Sequence, residues 1–236
     1  MAEIKKGILG GFSGKVGTVV GANWRGKDII RSLPKSNNKA PTDLQLLQRY
    51  KFKKVVKFLQ PIRILLNEYF GNKTGVHSRY NLAVSYTISN ALDVVDDLAV
   101  IVMERILVSK GDLVGFLRPT LVPSAVDSFE LQWEDNSGQG NAKDTDIVNV
   151  VCYCEELDIF EVYHSIESRG GSSANIQLPT NFNGKKVNFW TFLNNQLKGM
   201  SSTSIYLGEH TVEYVLFRFF DRLRIAIRNV ILSEVV

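Results

Sequence analysis

The chain has 236 residues, 44% hydrophobic and 22% charged, with a net charge of +4. That composition suits one large or two small domains with a buried core and excludes an intrinsically disordered chain. The apolar runs fall far short of the roughly 20 residues that span a bilayer. The opening Met1-Ala2-Glu3-Ile4-Lys5-Lys6 leads into glycine and lacks the apolar stretch of a secretory signal. The expectation is a soluble cytoplasmic chain with no membrane span, with release inside an extracellular particle left open.

Residues 7–32 read GILGGFSGKVGTVVGANWRGKDIIRS. A phosphate loop needs glycine, four residues, then Gly-Lys-Ser/Thr. Gly14-Lys15 is there, but Leu9 stands at the first position and Val16 follows the lysine. A dinucleotide fingerprint also fails, because Gly11, Gly14 and Gly17 are evenly spaced by three and β-branched Thr18-Val19-Val20 follows instead of a helix. The stretch is therefore expected to be β-ribbon. Lys15 to Val20 reads as one strand, with Val16 and Val20 opposite Lys15 and Val19. Residues 21–26 read as a turn and Asp28 to Arg31 as a second strand, with Trp24 as an apolar anchor. Pro34 and Ser36-Asn37-Asn38 then read as loop.

A helix is predicted from Thr42, where Thr42 and Gln45 form a capping box. Its apolar face reads Leu44, Leu47, Val55, Phe58, Leu59, Ile62, Leu65, Leu66 and Tyr69, with Pro61 kinking or splitting it and Gly71 ending it. The opposite face carries Arg49, Lys51, Lys53, Lys54 and Lys57. These five are the candidate nucleic-acid contacts, although such a face is usually only solvated and no recognised binding motif accompanies it. Residues 76–90 read as a second helix. Residues 99–113 read as β-rich, with a turn at Lys110-Gly111-Asp112. Asp93, Asp96 and Asp97 lack the calcium-loop pattern and read as loop.

From about Leu121 short strands alternate with turns. Phe129, Leu131 and Trp133 share one face, and Phe160, Val162 and His164 another. Turn signals at Asn136-Ser137-Gly138, Gly170-Gly171-Ser172 and Asn183-Gly184 separate them. This texture predicts a β-sandwich of immunoglobulin or fibronectin type, with Trp133 as its core aromatic and no inter-sheet disulfide. Cys152 and Cys154 point to one side of a strand and are expected to be reduced and packed. Residues 209–236 form an apolar tail whose stripe includes Leu216, Phe219, Phe220 and Leu223. Those four residues and Trp24 are the candidate protein-interaction positions, since so apolar a stripe must be covered.

No chemistry assembles from the motifs. The nucleophile elbow G-x-S-x-G is absent, and His77, His164 and His210 are scattered without metal-ligand spacing. Glu155-Glu156 read as solvent-facing, and His164 as a structural histidine. No catalytic residue, metal or cofactor is assigned. Charge is polarised along the chain. Residues 1–80 carry 16 Lys/Arg against 4 Asp/Glu, and residues 81–208 carry 8 against 16. Such polarity points to an electrostatic partner, either nucleic acid, an acidic surface or the chain's own other half, and self-association is among the readings.

The glycine stretch, the helix DLQLLQRYKFKKVVKFLQP, the VSKGDL segment and the LQWEDNS, DIVNVV and SIYLGE strands together resemble an uncharacterised family of the Bacteroidota, domain of unknown function 6266. The resemblance covers roughly residues 4–208. It implies a glycine-rich β element, a helical middle and an immunoglobulin-like C-terminal half, and it carries no catalytic residue. The chain departs from that pattern after Gly208.

The fold expected is therefore α+β: a strand-and-helix module over residues 1–120, a sandwich over 121–208 and a tail over 209–236. The function expected is a non-catalytic structural or interaction protein, as a component or cargo of a phage-tail-like contractile injection particle. A nucleic-acid binder using the basic helix face is the alternative, and a hydrolase of unknown substrate is the second.

Overall fold

The computed structural model describes residues 3–4, 10–24, 26–34, 40–72, 77–95, 98–125, 127–195, 197 and 199–213. The candidate tail positions Leu216, Phe219, Phe220 and Leu223 lie outside them, as do Asp96 and Asp97. The chain divides into two compact units, Met1–Leu46 and Leu47–Val236.

The first unit holds an antiparallel sheet in the order β1 (Glu3–Ile4), β2 (Phe12–Val16), β3 (Val19–Trp24), β4 (Lys27–Ser32). The single strand expected from Lys15 to Val20 is in fact two strands. Val16 pairs with Val19, so only Gly17 and Thr18 turn the chain. Gly17 sits at φ +57°, a left-handed backbone that glycine adopts without penalty at the first position of a two-residue hairpin loop. The hairpin also regroups the side chains. Val16 now shares a face with Val19, and Lys15 with Val20, reversing the expected partition. Residues 21–24 continue β3 instead of turning, and the next reversal falls between Trp24 and Lys27, which pair. Trp24 is 57% exposed, so it does not anchor a core in this sheet.

Helix α1 (Asp43–Leu59) begins as its sequence predicts. The Thr42 N–H donates to Gln45 Oε1, and the Gln45 N–H donates to Thr42 Oγ1, each at 3.4 Å. Pro61 splits the helical run, and α2 (Arg63–Tyr69) follows. The apolar face is buried only from Val55 onward, and Leu44 is 76% exposed. Helix α3 (Arg79–Asn90) is capped by Ser78, whose side chain accepts from the Asn81 N–H. A hairpin, β5 (Leu92–Val95) and β6 (Leu98–Ile101), comes next. Beyond it the expected β-rich stretch is a 3₁₀ turn at Met103–Arg105 followed by extended chain, whose polar groups are met singly, as where Gly71 donates to the Lys110 carbonyl.

Two sheets complete the second unit in a sandwich-like arrangement. One runs β11 (Ser173–Gln177), β8 (Ser128–Glu134), β7 (Leu117–Ala125). The other runs β10 (Ile159–Ser168), β9 (Ile147–Cys154), β12 (Lys186–Asn195), with β13 (Met200–Ser201) and β14 (Ile205–Thr211) on the remaining edge of β12. Between the sheets lie Phe129, Leu131 and Trp133 from β8, with Val150, Cys152 and Phe189 from the larger sheet. The core role predicted for Trp133 holds, and both cysteines are buried and unpaired. On its other face the larger sheet presents Val151, Tyr153, Trp190 and Phe192 to Val55, Phe58, Leu66 and Phe70 of the helices. Helices and sandwich thus share a core across β9 and β12, and a division near residue 120 does not separate two cores. The layers predict unequal tolerance. Leu131→Ala, at a fully buried site, should cost about 2–5 kcal/mol in urea unfolding, whereas Leu44→Ala should stay within about 0.5 kcal/mol.

Candidate functional site

Among the described residues of the glycine ribbon, a Cβ on Gly11 would collide with Asp28, so a carboxylate packs against backbone that a phosphate would have to approach.

In the second unit the candidate basic residues separate. Arg49 and Lys53 are exposed and Lys51 is half-buried. Lys54 and Lys57 instead line a cleft of about 170 Å³ with Phe58, Val100, Ile101, Met103, Tyr153, Glu155 and Asp158. Lys54 Nζ donates to the Ala99 carbonyl. Lys57 Nζ lies 3.0 Å from Asp158 Oδ2, and the Tyr153 hydroxyl donates to Asp158 Oδ1 at 3.1 Å. The bond from Lys57 holds the Asp158 carboxyl below its ordinary value, with the Tyr153 bond adding to it and desolvation opposing. Tyr153 is pushed upward, first by burial and then by its bond to Asp158. The cleft therefore contains the Asp158 carboxylate, a phenol and two amines that satisfy one another or a backbone carbonyl, with the exposed Glu155 carboxylate also on its wall.

Two shallow apolar grooves flank α3. One, of about 410 Å³, is lined by Phe52, Val56, Tyr80, Val84 and Ile88. The other, of about 500 Å³, is lined by Phe70, Leu82, Tyr86 and Lys110, with the Lys110 ammonium 5.3 Å from the centre of the Tyr86 ring.

The strongest polar constellation is one the sequence did not signal. Arg169 and Asp146 are both fully buried, with Arg169 Nη2 3.0 Å from Asp146 Oδ2. Arg169 Nε donates to the same oxygen at 3.2 Å. Its other donors reach the carbonyls of Val114 and Gly115 and the side-chain oxygen of Asn136. Asp146 in turn accepts from Asn195 Nδ2 at 2.7 Å and from the Lys143 N–H at 2.8 Å. Trp133 Nε1 donates to the Arg169 carbonyl at 2.7 Å. Each atom that could act on a ligand is occupied by the chain itself, so this is a clasp.

Other expected positions are plainer. Glu155 and Glu156 are exposed, with Glu156 3.0 Å from Lys185 Nζ. His164 is exposed on β10 and not built into the core. Asp93 pairs with Arg105 at 3.0 Å. Burial, with Glu161 adding to it, pushes the Cys152 thiol well up. Among the described residues no cluster of three or more His, Cys, Asp or Glu side chains could hold a metal ion. Among them, too, no helix is long and apolar enough to cross a membrane.

Among the described residues, fold and clasp define an α+β second unit in which three α-helices pack over a two-sheet core. The chain belongs to a family of unknown function, DUF6266, whose model matches residues 11–208. The match ends inside β14, so the terminal tail falls outside it, as the sequence resemblance implied. A search of the curated proteins finds no match.

Two outcomes test this electrostatic account. Replacing either Arg169 or Asp146 alone strands a buried charge. Arg169→Leu or Asp146→Asn should each lower stability by about 3–5 kcal/mol in denaturant titration, with the double apolar replacement losing less than either. The Asp158 tie has the opposite pH sense to a histidine switch. Its folded pKa lies below the ordinary 3.8. Its stabilisation is thus present above the unfolded value and lost as pH falls through the depressed one. The partner side chains are 78% and 51% exposed, which limits the contribution to at most about 1 kcal/mol. Carboxyl NMR titration should place Asp158 low in the native chain and return it upward in Lys57→Ala.

Proposed function

We propose that this is a non-catalytic structural or interaction protein built around a fibronectin- or immunoglobulin-type sandwich. In chain order the first, second and fifth strands of the sandwich, β7, β8 and β11, form one sheet, and β9, β10, β12, β13 and β14 form the other. That alternation between sheets is how immunoglobulin-like domains distribute their strands. One observation carries the non-catalytic reading: the Asp158 carboxylate of the cleft is held by both Lys57 and Tyr153, and Lys54 is tied to the Ala99 carbonyl. A hydrolase needs an acid or base poised to exchange a proton with substrate, and this arrangement opposes that by lowering the carboxyl and raising the phenol.

The proposed context is a phage-tail-like contractile injection particle, with this chain as component or cargo. What favours it is a sandwich scaffold whose internal polar network supports a rigid part. The basic α1 face draws less support as a nucleic-acid surface, because Lys54 and Lys57 are committed within the chain. The particle reading is tested by sedimenting a gentle lysate of the native cells through a sucrose gradient and blotting for the chain. It should travel with high-mass particles containing tail-like proteins. Recovery only in the low-mass fractions would end that reading.

A further inference from the structure

The two faces of the N-terminal sheet differ in chemistry. Cross-strand partners share a face, so Lys15, Val20 and Arg31 form one row across β2, β3 and β4. Ser13, Ala22 and Ile29 form the next row on that face, and Trp24 with Lys27 closes it. Lys15, Lys27 and Arg31 are all exposed, and Trp24 is 57% exposed. The opposite face carries Phe12, Val16, Val19 and Ile30, and the one acid of β2–β4, Asp28, which accepts from Asn23 Nδ2 at 2.9 Å. Among the described residues of β2–β4 no acid lies on the cationic face.

Three cations and an exposed indole on one face of small and β-branched side chains match the two demands of an unpaired nucleic-acid strand. The backbone needs positive charge, and a base needs an aromatic plane to stack on. The spacing is suitable. Lys15 and Arg31 are two strand separations apart, about 10 Å, and Lys27 lies about 13 Å from Arg31 along β4. Lys27 pairs directly with Trp24, and Lys15 and Arg31 both flank Val20 about 13 Å further along β3, so a strand lying along β3 with a base on Trp24 meets one cation beside that base and two further along its backbone. A duplex is a poorer fit, since a narrow flat sheet with a single large side chain has nothing to enter a groove.

We propose that this face of the first unit, with Trp24, its cross-strand partner Lys27, and Lys15 and Arg31 further along the sheet, binds single-stranded nucleic acid. The inference goes beyond the reading of the second unit and does not rest on it. It also places the site on a different element from the α1 lysines.

The test uses the full chain with fluorescein-labelled oligo-dT and oligo-U of about 12 nucleotides, the range one small sheet covers. Anisotropy should show saturable binding at low salt, with log K falling against log salt at a slope of about −2 for three phosphate contacts. Trp133 and Trp190 are 5% and 0% exposed, so quenching of tryptophan emission on binding reports Trp24. Trp24→Ala should weaken binding about tenfold, as the loss of one stacked base does, and should remove the quenching, while Trp24→Phe keeps most of the affinity. Lys15→Gln, Lys27→Gln and Arg31→Gln together should abolish the salt dependence, with unchanged circular dichroism showing that the sheet still forms. Absence of binding at low salt would overturn the proposal. So would affinity that survives those substitutions but falls with Arg49→Gln and Lys53→Gln. Equal affinity for polyglutamate, indifferent to Trp24→Ala, would overturn it in favour of an acidic protein partner.

Discussion

A fully buried ion pair, Arg169 with Asp146, sets the geometry of one end of the sandwich. Removing both charges from water costs several kcal/mol per ion, and attraction alone does not return that cost unless the remaining donors and acceptors are also met. Here they are. The guanidinium reaches Val114, Gly115 and Asn136, and the carboxylate takes bonds from Asn195 and Lys143. Five separate stretches of chain are thereby held at fixed distances from one another. The Trp133 indole is held by the same arginine's carbonyl, which couples the clasp to the packing between the sheets. Polar networks of this kind trade tolerance for specificity: they favour one arrangement of loops over many compact ones.

The second organising fact is that β9 and β12 are buried on both faces. One side of β9 gives Val150, Cys152 and Cys154 to the sandwich, and the other gives Val151 and Tyr153 to the helices. A strand covered twice reads as a near-continuous apolar run, which VNVVCYC is. The helices are therefore a third layer of the same body. Its edge also joins the chain's two charge regions, because Lys57 belongs to the basic first 80 residues and Asp158 to the acidic stretch that follows. That pair uses one lysine of a large basic surplus, and Lys15, Lys27 and Arg31 remain facing solvent.

Local rules were legible where they acted alone. The capping box at Thr42 and Gln45, the break at Pro61 and the period-two burial of Phe129, Leu131 and Trp133 each follow from a few neighbouring residues. What escaped depended on pairing across the chain. Nothing in KVGTVV separates one strand from a tight hairpin, because valine and threonine suit both, and only the Val16–Val19 register decides. That one turn assigns Lys15 to the side of Arg31, so the cationic face was hidden for the same reason. Arg169 was hidden differently. It stands in SRGGSS, which reads as an exposed turn, and its partner lies 23 positions earlier in another loop. The fate of Lys54 and Lys57 likewise rested on Ala99 and Asp158, which no helical periodicity can reveal.

Cys152 and Cys154 sit on the side of β9 that faces the smaller sheet, with their sulfurs sealed from solvent and the Cys152 thiol held protonated by its surroundings. They are thus sentinels for a single kind of motion. Detachment of the helical layer, which packs on the opposite face of β9, would leave them covered. Because both sulfurs lie in the packing between the sheets, the rate at which an alkylating reagent reaches them clocks the opening of that packing.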